Sequence, residues 1–203
     1  MMNDNTTPPL DQPAYWDNRY ITQNTGWDMH QVSPPLKTYI DGLTNLEIAI
    51  LIPGCGNAYE AAYLLQKGFT NVTLIDFSKV VTDRLREQYK DQPIRIVTED
   101  FFTHEGEYDL ILEQTFFCAV DNAHKIPYVK KCHQLLNKGG KIAGVLFNKK
   151  IVGEEPPYIT SDEETKAYFS PYFLINKYEA CTNSIAPRLG TEAYFEFEKK
   201  EII

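Results

Sequence analysis

Apolar and polar positions along the chain form blocks that predict strands and helices in turn. The run Ile48-Ala49-Ile50-Leu51-Ile52 is apolar without interruption, which is typical of a strand buried on both faces of a parallel sheet. Further strands are predicted at 72–75, 94–97, 108–113 and 141–147, helices at 58–67, 79–89 and 124–136, and a turn at Gly139-Gly140. Strands and helices that alternate in this way indicate a doubly wound α/β domain.

Two helices are predicted upstream of the first strand. The first covers 14–20 and has an aromatic face, and the second covers 36–43. Ser33 is the expected cap of the second helix, because serine accepts well from the first turn and Pro34-Pro35 is tolerated there. We predict that residues 1–12 form a flexible tail before these helices.

The pattern changes again after Asn148. A proline-rich loop and a helix at 162–169 precede two nearly alternating segments, 173–179 and 193–198. Alternation favours strands with one face covered, so these segments predict an antiparallel hairpin that closes one edge of the sheet. One domain over 13–203 is therefore expected, divided into N-terminal helices at 13–45 and an α/β core at 46–203.

Composition supports a folded chain and limits its partners. Of 203 residues, 43% are hydrophobic and 24% charged, and 28 acidic against 20 basic residues give a net charge of −8. An acidic chain is poorly attracted to nucleic acid or anionic lipid, so neither is an expected partner. The chain lacks an apolar run of about 18 residues and a signal-peptide pattern, and its four cysteines form no CxxC pair. We expect a cytoplasmic protein without a membrane span, and the four histidines show no metal spacing.

A glycine loop and an acidic residue suggest a nucleoside site. Gly54-Cys55-Gly56 lies between a predicted strand and helix, and Asp76 ends the next strand about 20 residues later, where a carboxylate binds ribose hydroxyls. Tyr59 stands where a dinucleotide fold has a third glycine, which argues against a pyrophosphate. S-adenosylmethionine has no phosphate, so a site for this nucleoside does not need the third glycine. After the third strand, Asp100 can accept from an adenine amino group, and Phe101 can offer an apolar face.

Several motifs resemble the class I S-adenosylmethionine-dependent methyltransferases, and more narrowly the thiopurine S-methyltransferase family, closest to its halide/thiol methyltransferases. The resemblance spans nearly the whole chain. It rests on Tyr15-Trp16-Asp17-Asn18-Arg19-Tyr20, Asn24-Thr25-Gly26-Trp27-Asp28, Ile52-Pro53-Gly54-Cys55-Gly56, Glu99-Asp100-Phe101-Phe102, Thr115-Phe116-Phe117-Cys118-Ala119-Val120, Pro156-Pro157-Tyr158 and Pro187-Arg188-Leu189-Gly190.

The resemblance implies a single Rossmann-like methyltransferase domain with a seven-stranded, mostly parallel sheet, the C-terminal hairpin and an N-terminal helical lid. It also implies the cofactor S-adenosyl-L-methionine, with S-adenosyl-L-homocysteine as product. The residues that the resemblance assigns to this cofactor are Trp16, Tyr20, Trp27, Gly54, Asp76, Asp100, Phe101 and Gln114. Aromatic faces attract a sulfonium cation, which supports the role of the three aromatic lid residues.

The acceptor end of the site is predicted to be apolar. Phe116, Phe117, Cys118 and Tyr158 are the candidate pocket residues, and Glu113 can either orient an acceptor or make a structural hydrogen bond. We predict methyl transfer to a small thiol, thiocyanate or halide by in-line displacement, with no metal and no certain catalytic side chain. Alternatives are an aromatic thiol or metalloid oxyanion as acceptor, and a silent module that only binds the cofactor. A monomer or weak homodimer is expected.

Overall fold

Seven strands form one sheet in the computed structural model, which describes residues 11–149 and 156–201. In chain order they are β1 (Ile50–Pro53), β2 (Val72–Asp76), β3 (Ile94–Thr98), β4 (Tyr108–Gln114), β5 (Leu136–Phe147), β6 (Phe173–Ala180) and β7 (Glu192–Lys199). Their order across the sheet is β3-β2-β1-β4-β5-β7-β6. The predicted seven-stranded α/β fold is confirmed.

The strand order reverses between β1 and β4, and this reversal places the site. Strands β1 to β5 pair in parallel, β7 pairs antiparallel with β5, and β6 pairs antiparallel with β7. The chain steps from β1 outward to β3 and then returns to the other side of β1 as β4. Such a switch point opens a crevice at the carboxyl ends of the two strands, which is where α/β proteins bind ligands.

Seven helices accompany the sheet in the described part of the chain. They are α1 (Pro13–Ile21), α2 (Pro34–Asp41), α3 (Tyr59–Gln66), α4 (Lys79–Gln88), α5 (Phe116–Ala119), α6 (Lys125–Leu135) and α7 (Asp162–Phe169). Six of them match predicted helices to within a few residues. The exception is α5, a single turn after β4 that is too short to show a helical period.

Both faces of the central strands are buried, which explains why their sequences read as continuous apolar runs. Along β1, Leu51 packs into one apolar cluster while Ile50 and Ile52 pack into the other. The same division recurs on β4, where Ile111 and Leu112 belong to opposite clusters. Successive side chains of a strand point to opposite faces, so a two-sided core requires apolar residues at every position.

Two local predictions are wrong. Ser33 precedes α2 but its side chain makes no cap bond, and Pro34 and Pro35 remove two N–H donors from the first turn. The Ser33 N–H instead donates to Glu60 Oε1 at 2.9 Å. The predicted turn at Gly139-Gly140 is an irregularity inside β5, since the pairing with β4 jumps from Tyr108–Leu136 to Leu110–Lys141.

The C-terminal hairpin is confirmed, with β7 inside the sheet and β6 at its edge. Residues 1–10 of the predicted tail lie outside the described residues. Across 11–149 and 156–201, no helix is long and apolar enough to cross a membrane. Each of the four cysteines is buried and carries a free thiol.

Gly144 on β5 provides a test of how tightly the sheet packs. A Cβ added there would lie 2.5 Å from the carbonyl oxygen of Glu113 and 2.8 Å from the ring of Phe195. We expect Gly144→Ala to lower the free energy of unfolding by about 1–3 kcal/mol, because a backbone atom cannot move aside cheaply. Urea unfolding measures this loss.

Gly42→Ala is the matched control. A Cβ at Gly42 would meet its nearest neighbour, the carbonyl oxygen of Tyr39, at an ordinary 3.4 Å. Its effect is expected to stay within about 0.5 kcal/mol. Equal stability of the two variants would contradict the packing argument.

Candidate active site

A cavity of about 590 Å³ lies at the carboxyl ends of the strands beside the switch point. Ligand cavities of small-molecule enzymes are typically about 300–1,000 Å³. All eight predicted cofactor residues line it: Trp16, Tyr20, Trp27, Gly54, Asp76, Asp100, Phe101 and Gln114. Two of the four acceptor candidates, Phe116 and Tyr158, also line it.

The glycine loop after β1 brings backbone directly to the cavity wall. Gly54 and Gly56 have φ angles of +55° and +50°. A Cβ at Gly54 would lie 2.3 Å from the ring of Phe116, and one at Gly56 would lie 2.7 Å from the hydroxyl of Tyr20. Both positions therefore require glycine, for the left-handed backbone and for space.

Asp76 joins this loop to the next strand. Its Oδ2 accepts from the Gly56 N–H at 3.1 Å, and its Oδ1 accepts from the Ser78 N–H at 2.9 Å. The residue is only 8% exposed. Burial raises the pKa of Asp76 to about 6, although the two backbone donors oppose this shift. A carboxylate held on two sides by backbone has its remaining acceptor positions available at the cavity.

Three aromatic side chains cover one side of the cavity. Trp27 packs edge-to-face against Trp16 and Tyr20, with ring centroids 5.3 and 5.8 Å apart. Helix α1 is attached to the start of α4 through Asp17, whose Oδ1 accepts from the Ser78 hydroxyl at 2.5 Å and the Val80 N–H at 3.2 Å. The predicted N-terminal cover is thus built on the frame that holds Asp76.

Asp28 is a residue that sequence reasoning did not assign to the site. It lines the cavity, and its Oδ2 accepts from the Asn57 amide and from the Tyr59 hydroxyl. The loop that carries Trp27 is thereby tied to the glycine loop. Its place in the Thr-Gly-Trp-Asp motif was the available signal. Tyr59, which stands at the position of a third glycine, serves this contact.

The loop after β3 forms another wall. Asp100 Oδ1 accepts from the Phe102 N–H at 2.9 Å, which fixes the turn. Phe101 is 3% exposed and packs its ring on Phe116 and Tyr128, at 5.5 and 5.2 Å. A small part of the Phe101 side chain therefore faces the cavity, and the rest packs in the core.

Glu113 is structural and does not line the cavity. It is fully buried, and its carboxylate accepts from the N–H groups of Phe116 and Phe117 at 2.6 and 2.9 Å, and from the Tyr128 hydroxyl. These bonds satisfy the first backbone donors of α5. Burial raises the pKa of Glu113 to about 7. The suggestion that Glu113 orients an acceptor has no support in this geometry.

The prediction that Phe117 and Cys118 form the pocket wall is wrong. Both are buried in the core, where Phe117 packs on Tyr128 and Cys118 Sγ accepts from the Phe147 N–H at 3.2 Å. Successive residues of a helical turn point about 100° apart, so α5 turns Phe116 to the cavity and its next two residues to the core. Burial raises the pKa of Cys118 to about 12, which suits an inert thiol.

Tyr158 lines the cavity beside Phe116, together with Pro156 and Pro157. Its N–H donates to the Cys118 carbonyl at 2.7 Å, and its carbonyl accepts from Lys125 Nζ at 3.3 Å. The fully buried Lys125 also donates to the Phe117 carbonyl. The wall after β4 and the wall after β5 are therefore held to one another.

The residues present fit S-adenosylmethionine. The glycine loop leaves room at the wall, Asp76 offers acceptor positions, and Gln114 Nε2 is a buried donor without a hydrogen-bond partner at this cavity. A doubly wound sheet with this loop, this carboxylate and an aromatic cover upstream of β1 defines the class of S-adenosylmethionine-dependent methyltransferases.

Comparison with known proteins identifies the family. Residues 11–201 match the family model described as Thiopurine S-methyltransferase (TPMT), and the chain belongs to this family. It is an S-adenosylmethionine-dependent methyltransferase. The probable thiol methyltransferase 2 of Arabidopsis thaliana is 26% identical, over 91% of this chain and 84% of the relative. The thiocyanate methyltransferase 1 of Brassica oleracea is 25% identical, over 95% and 88%.

A solved structure shares the fold. The 1,6-didemethyltoxoflavin-N1-methyltransferase of Burkholderia thailandensis, with bound 1,6-didemethyltoxoflavin and S-adenosylhomocysteine, superposes with a TM-score of 0.71. The match covers 98% of this chain and 94% of that one at 15% identity. Identity this low shows the common architecture alone.

The raised pKa of Glu113 predicts a pH-dependent stability. In the folded chain this carboxyl holds its proton up to about pH 7, against a usual value of 4.5. Its contribution to stability is therefore full below about pH 4.5 and is lost as the pH rises through 7. Urea unfolding measures the free energy of unfolding of the wild type and of Glu113→Gln. The difference between them should shift in favour of the wild type by about 1–3 kcal/mol when the pH is lowered from 8 to 5.

Glu87→Gln is the control for this measurement, because Glu87 is exposed on α4. Its stability relative to the wild type should change little between the two pH values. A wild-type advantage over Glu113→Gln that is larger at pH 8 would show that the buried carboxylate is stabilised in its ionised form.

Proposed function

We propose that this chain transfers a methyl group from S-adenosylmethionine to a small soft nucleophile, with a thiol as the first candidate and thiocyanate or a halide next. The observation that carries the proposal is the apolar wall beside the glycine loop. Phe116, Val120, Phe147 and Tyr158 line it, at the ends of β4 and β5. The thiol and thiocyanate methyltransferases named above support this acceptor class.

The same proposal assigns the cofactor end. Asp76 accepts from the ribose hydroxyls, Asp100 accepts from the adenine amino group, and Phe101 packs against the adenine. Trp16, Tyr20 and Trp27 cover the methionine portion, and Gln114 donates its unpartnered Nε2 hydrogen to an acceptor atom of the bound molecule. When bound, S-adenosylmethionine supplies a methyl group on a positively charged sulfonium.

An apolar wall suits a soft nucleophile for an electrostatic reason. Attack of a thiolate on a sulfonium cancels two opposite charges as the transition state forms. Water stabilises the separated ions more than that transition state, so side chains that exclude water favour the reaction. The wall also holds the acceptor in line with the methyl group, which replaces a bimolecular encounter by a fixed geometry.

An aromatic thiol or a metalloid oxyanion is the alternative acceptor. An amine acceptor is disfavoured, because the end of β4 and the residues after it read Glu113-Gln114-Thr115-Phe116, where many N-methyltransferases have Asn/Asp-Pro-Pro-aromatic. We further propose a cytoplasmic monomer or weak homodimer without a nucleic-acid partner.

An acceptor panel tests the reaction. Full-length protein with methyl-labelled S-adenosylmethionine should methylate sulfide, alkyl thiols, thiocyanate or iodide, and leave DNA, RNA and protein amines unlabelled. Val120→Asp places a charge on the apolar wall and should lower kcat/KM for thiols by about tenfold or more. Leu46→Asp, at an exposed residue in the turn before β1, is the control substitution. Cofactor binding without transfer to any thiol, thiocyanate or halide of the panel would contradict the proposed acceptor class.

Asp76 predicts how cofactor affinity depends on pH. If ribose binding needs the ionised carboxylate, its pKa of about 6 makes binding full at pH 8 and progressively weaker as the pH falls through 6. The Kd for S-adenosylhomocysteine, measured by calorimetry, should rise about tenfold between pH 7 and pH 5. Asp76→Asn should raise Kd by about 10–100-fold at pH 8 and flatten the profile.

Asp83→Asn, an exposed change on α4, should keep the wild-type profile. Tight binding by a folded Asp76→Asn protein would remove Asp76 from the ribose site.

A further inference from the structure

We propose that Arg188 is a positioning residue that holds Trp27 against the cavity from the C-terminal side of the sheet. The proposal rests on the proposed function, because it assigns Trp27 to the cofactor cover. Arg188 belongs to the Pro-Arg-Leu-Gly motif, to which neither the cofactor end nor the acceptor end gives a role. It is 7% exposed although its charge favours solvent.

The guanidinium of Arg188 makes three contacts. Nη2 donates to the backbone carbonyl of Trp27, and Nη1 donates to Glu192 Oε1 at 3.0 Å. The guanidinium carbon also lies 4.9 Å from the ring centroid of Phe147. Trp27 and Phe147 both line the cavity, so Arg188 lies directly behind two of its walls.

The backbone around Arg188 is fixed independently of this side chain. Residues Ala186–Arg188 form a 3₁₀ turn, and the Arg188 carbonyl accepts from the Thr191 N–H at 3.0 Å and from the Thr191 hydroxyl at 2.7 Å. The Thr191 carbonyl accepts from the Asn148 N–H at 3.0 Å. The turn is thus anchored to the end of β5 before its side chain reaches the Trp27 loop.

Trp27 is held from the opposite side by α1. Its ring packs on Trp16 and Tyr20, and the Arg19 guanidinium lies 5.0 Å above it. These contacts fix the ring, whereas Arg188 fixes the backbone that carries it. Residues 161 positions apart in the chain therefore set the position of one cavity wall.

Arginine is suited to this place by its shape. Its planar fork offers separate donors to Glu192 and to the Trp27 carbonyl at the same time. A lysine ammonium is a single point of charge and donates to Glu192 without spanning both acceptors. Arg188→Lys therefore keeps the buried charge neutralised and removes the contact with the Trp27 loop, which separates positioning from simple stability.

The two tryptophans of the chain supply a direct readout, since both line the cavity. Intrinsic fluorescence should follow S-adenosylhomocysteine titration in the full-length wild type. In Arg188→Lys we expect emission from the ligand-free protein at longer wavelength, a Kd about tenfold higher, and a KM for S-adenosylmethionine that rises by more than kcat falls.

Glu192→Gln is the matched control. It weakens the same buried pair but leaves the Arg188 contact with Trp27, so it should lower the melting temperature and keep Kd within about threefold. Leu189→Ala, at an exposed neighbour, should change neither quantity. If Arg188→Lys does not fold, the double variant Arg188→Met with Glu192→Met removes both charges and takes its place in the comparison.

The outcomes separate the two proposals. Wild-type emission and affinity in a folded Arg188→Lys protein, with only a lower melting temperature, would overturn the positioning role. Absence of any response of the wild type to S-adenosylhomocysteine would count against the assigned cofactor site. The emission of the ligand-free proteins would still decide whether Arg188 sets the position of Trp27.

Discussion

The carboxylate of Asp76 is the contact on which the cofactor end of this molecule depends. It accepts from Gly56 after β1 and from Ser78 at the start of α4, so one side chain fixes the loops that follow two neighbouring strands. The Ser78 hydroxyl then donates to Asp17, and the Tyr20 hydroxyl occupies the space that a side chain at Gly56 would need. The N-terminal helix therefore docks on a frame that the sheet has already set.

The aromatic cover formed by Trp16, Tyr20 and Trp27 is attached to the rest of the chain at two places. Asp17 ties α1 to α4, and Arg188 ties the backbone of Trp27 to the C-terminal hairpin. Both contacts are polar and lie at the rim of the core, whereas the central sheet is held by two continuous apolar clusters. Detachment of the cover would therefore break these polar contacts and the packing of Tyr20 on one apolar cluster, while the contacts within the sheet stay in place.

The sheet, six of the helices and the hairpin follow from the sequence, because burial on both faces gives each strand a strong local pattern. The cofactor residues follow from motifs that lie next to those strands. The errors arise where long-range contacts decide. Glu113 on β4 supplies acceptors to the α5 backbone, and the resulting turn sends Phe117 and Cys118 into the core. No local period marks a four-residue helix, and none marks the contact between Arg188 and Trp27.

Two buried carboxylates show how stability and binding are divided. Burial raises the pKa of both Glu113 and Asp76, so ionisation near neutral pH opposes folding at each. Glu113 has three donors from its own chain and lies away from the cavity. Asp76 has two, and it faces the cavity. Donors on a bound ligand would add to the two backbone hydrogen bonds of Asp76, lower its pKa and stabilise the folded chain. Cofactor binding and folding are then coupled through this one side chain, because ligand donors that stabilise the ionised carboxylate in the folded chain favour both.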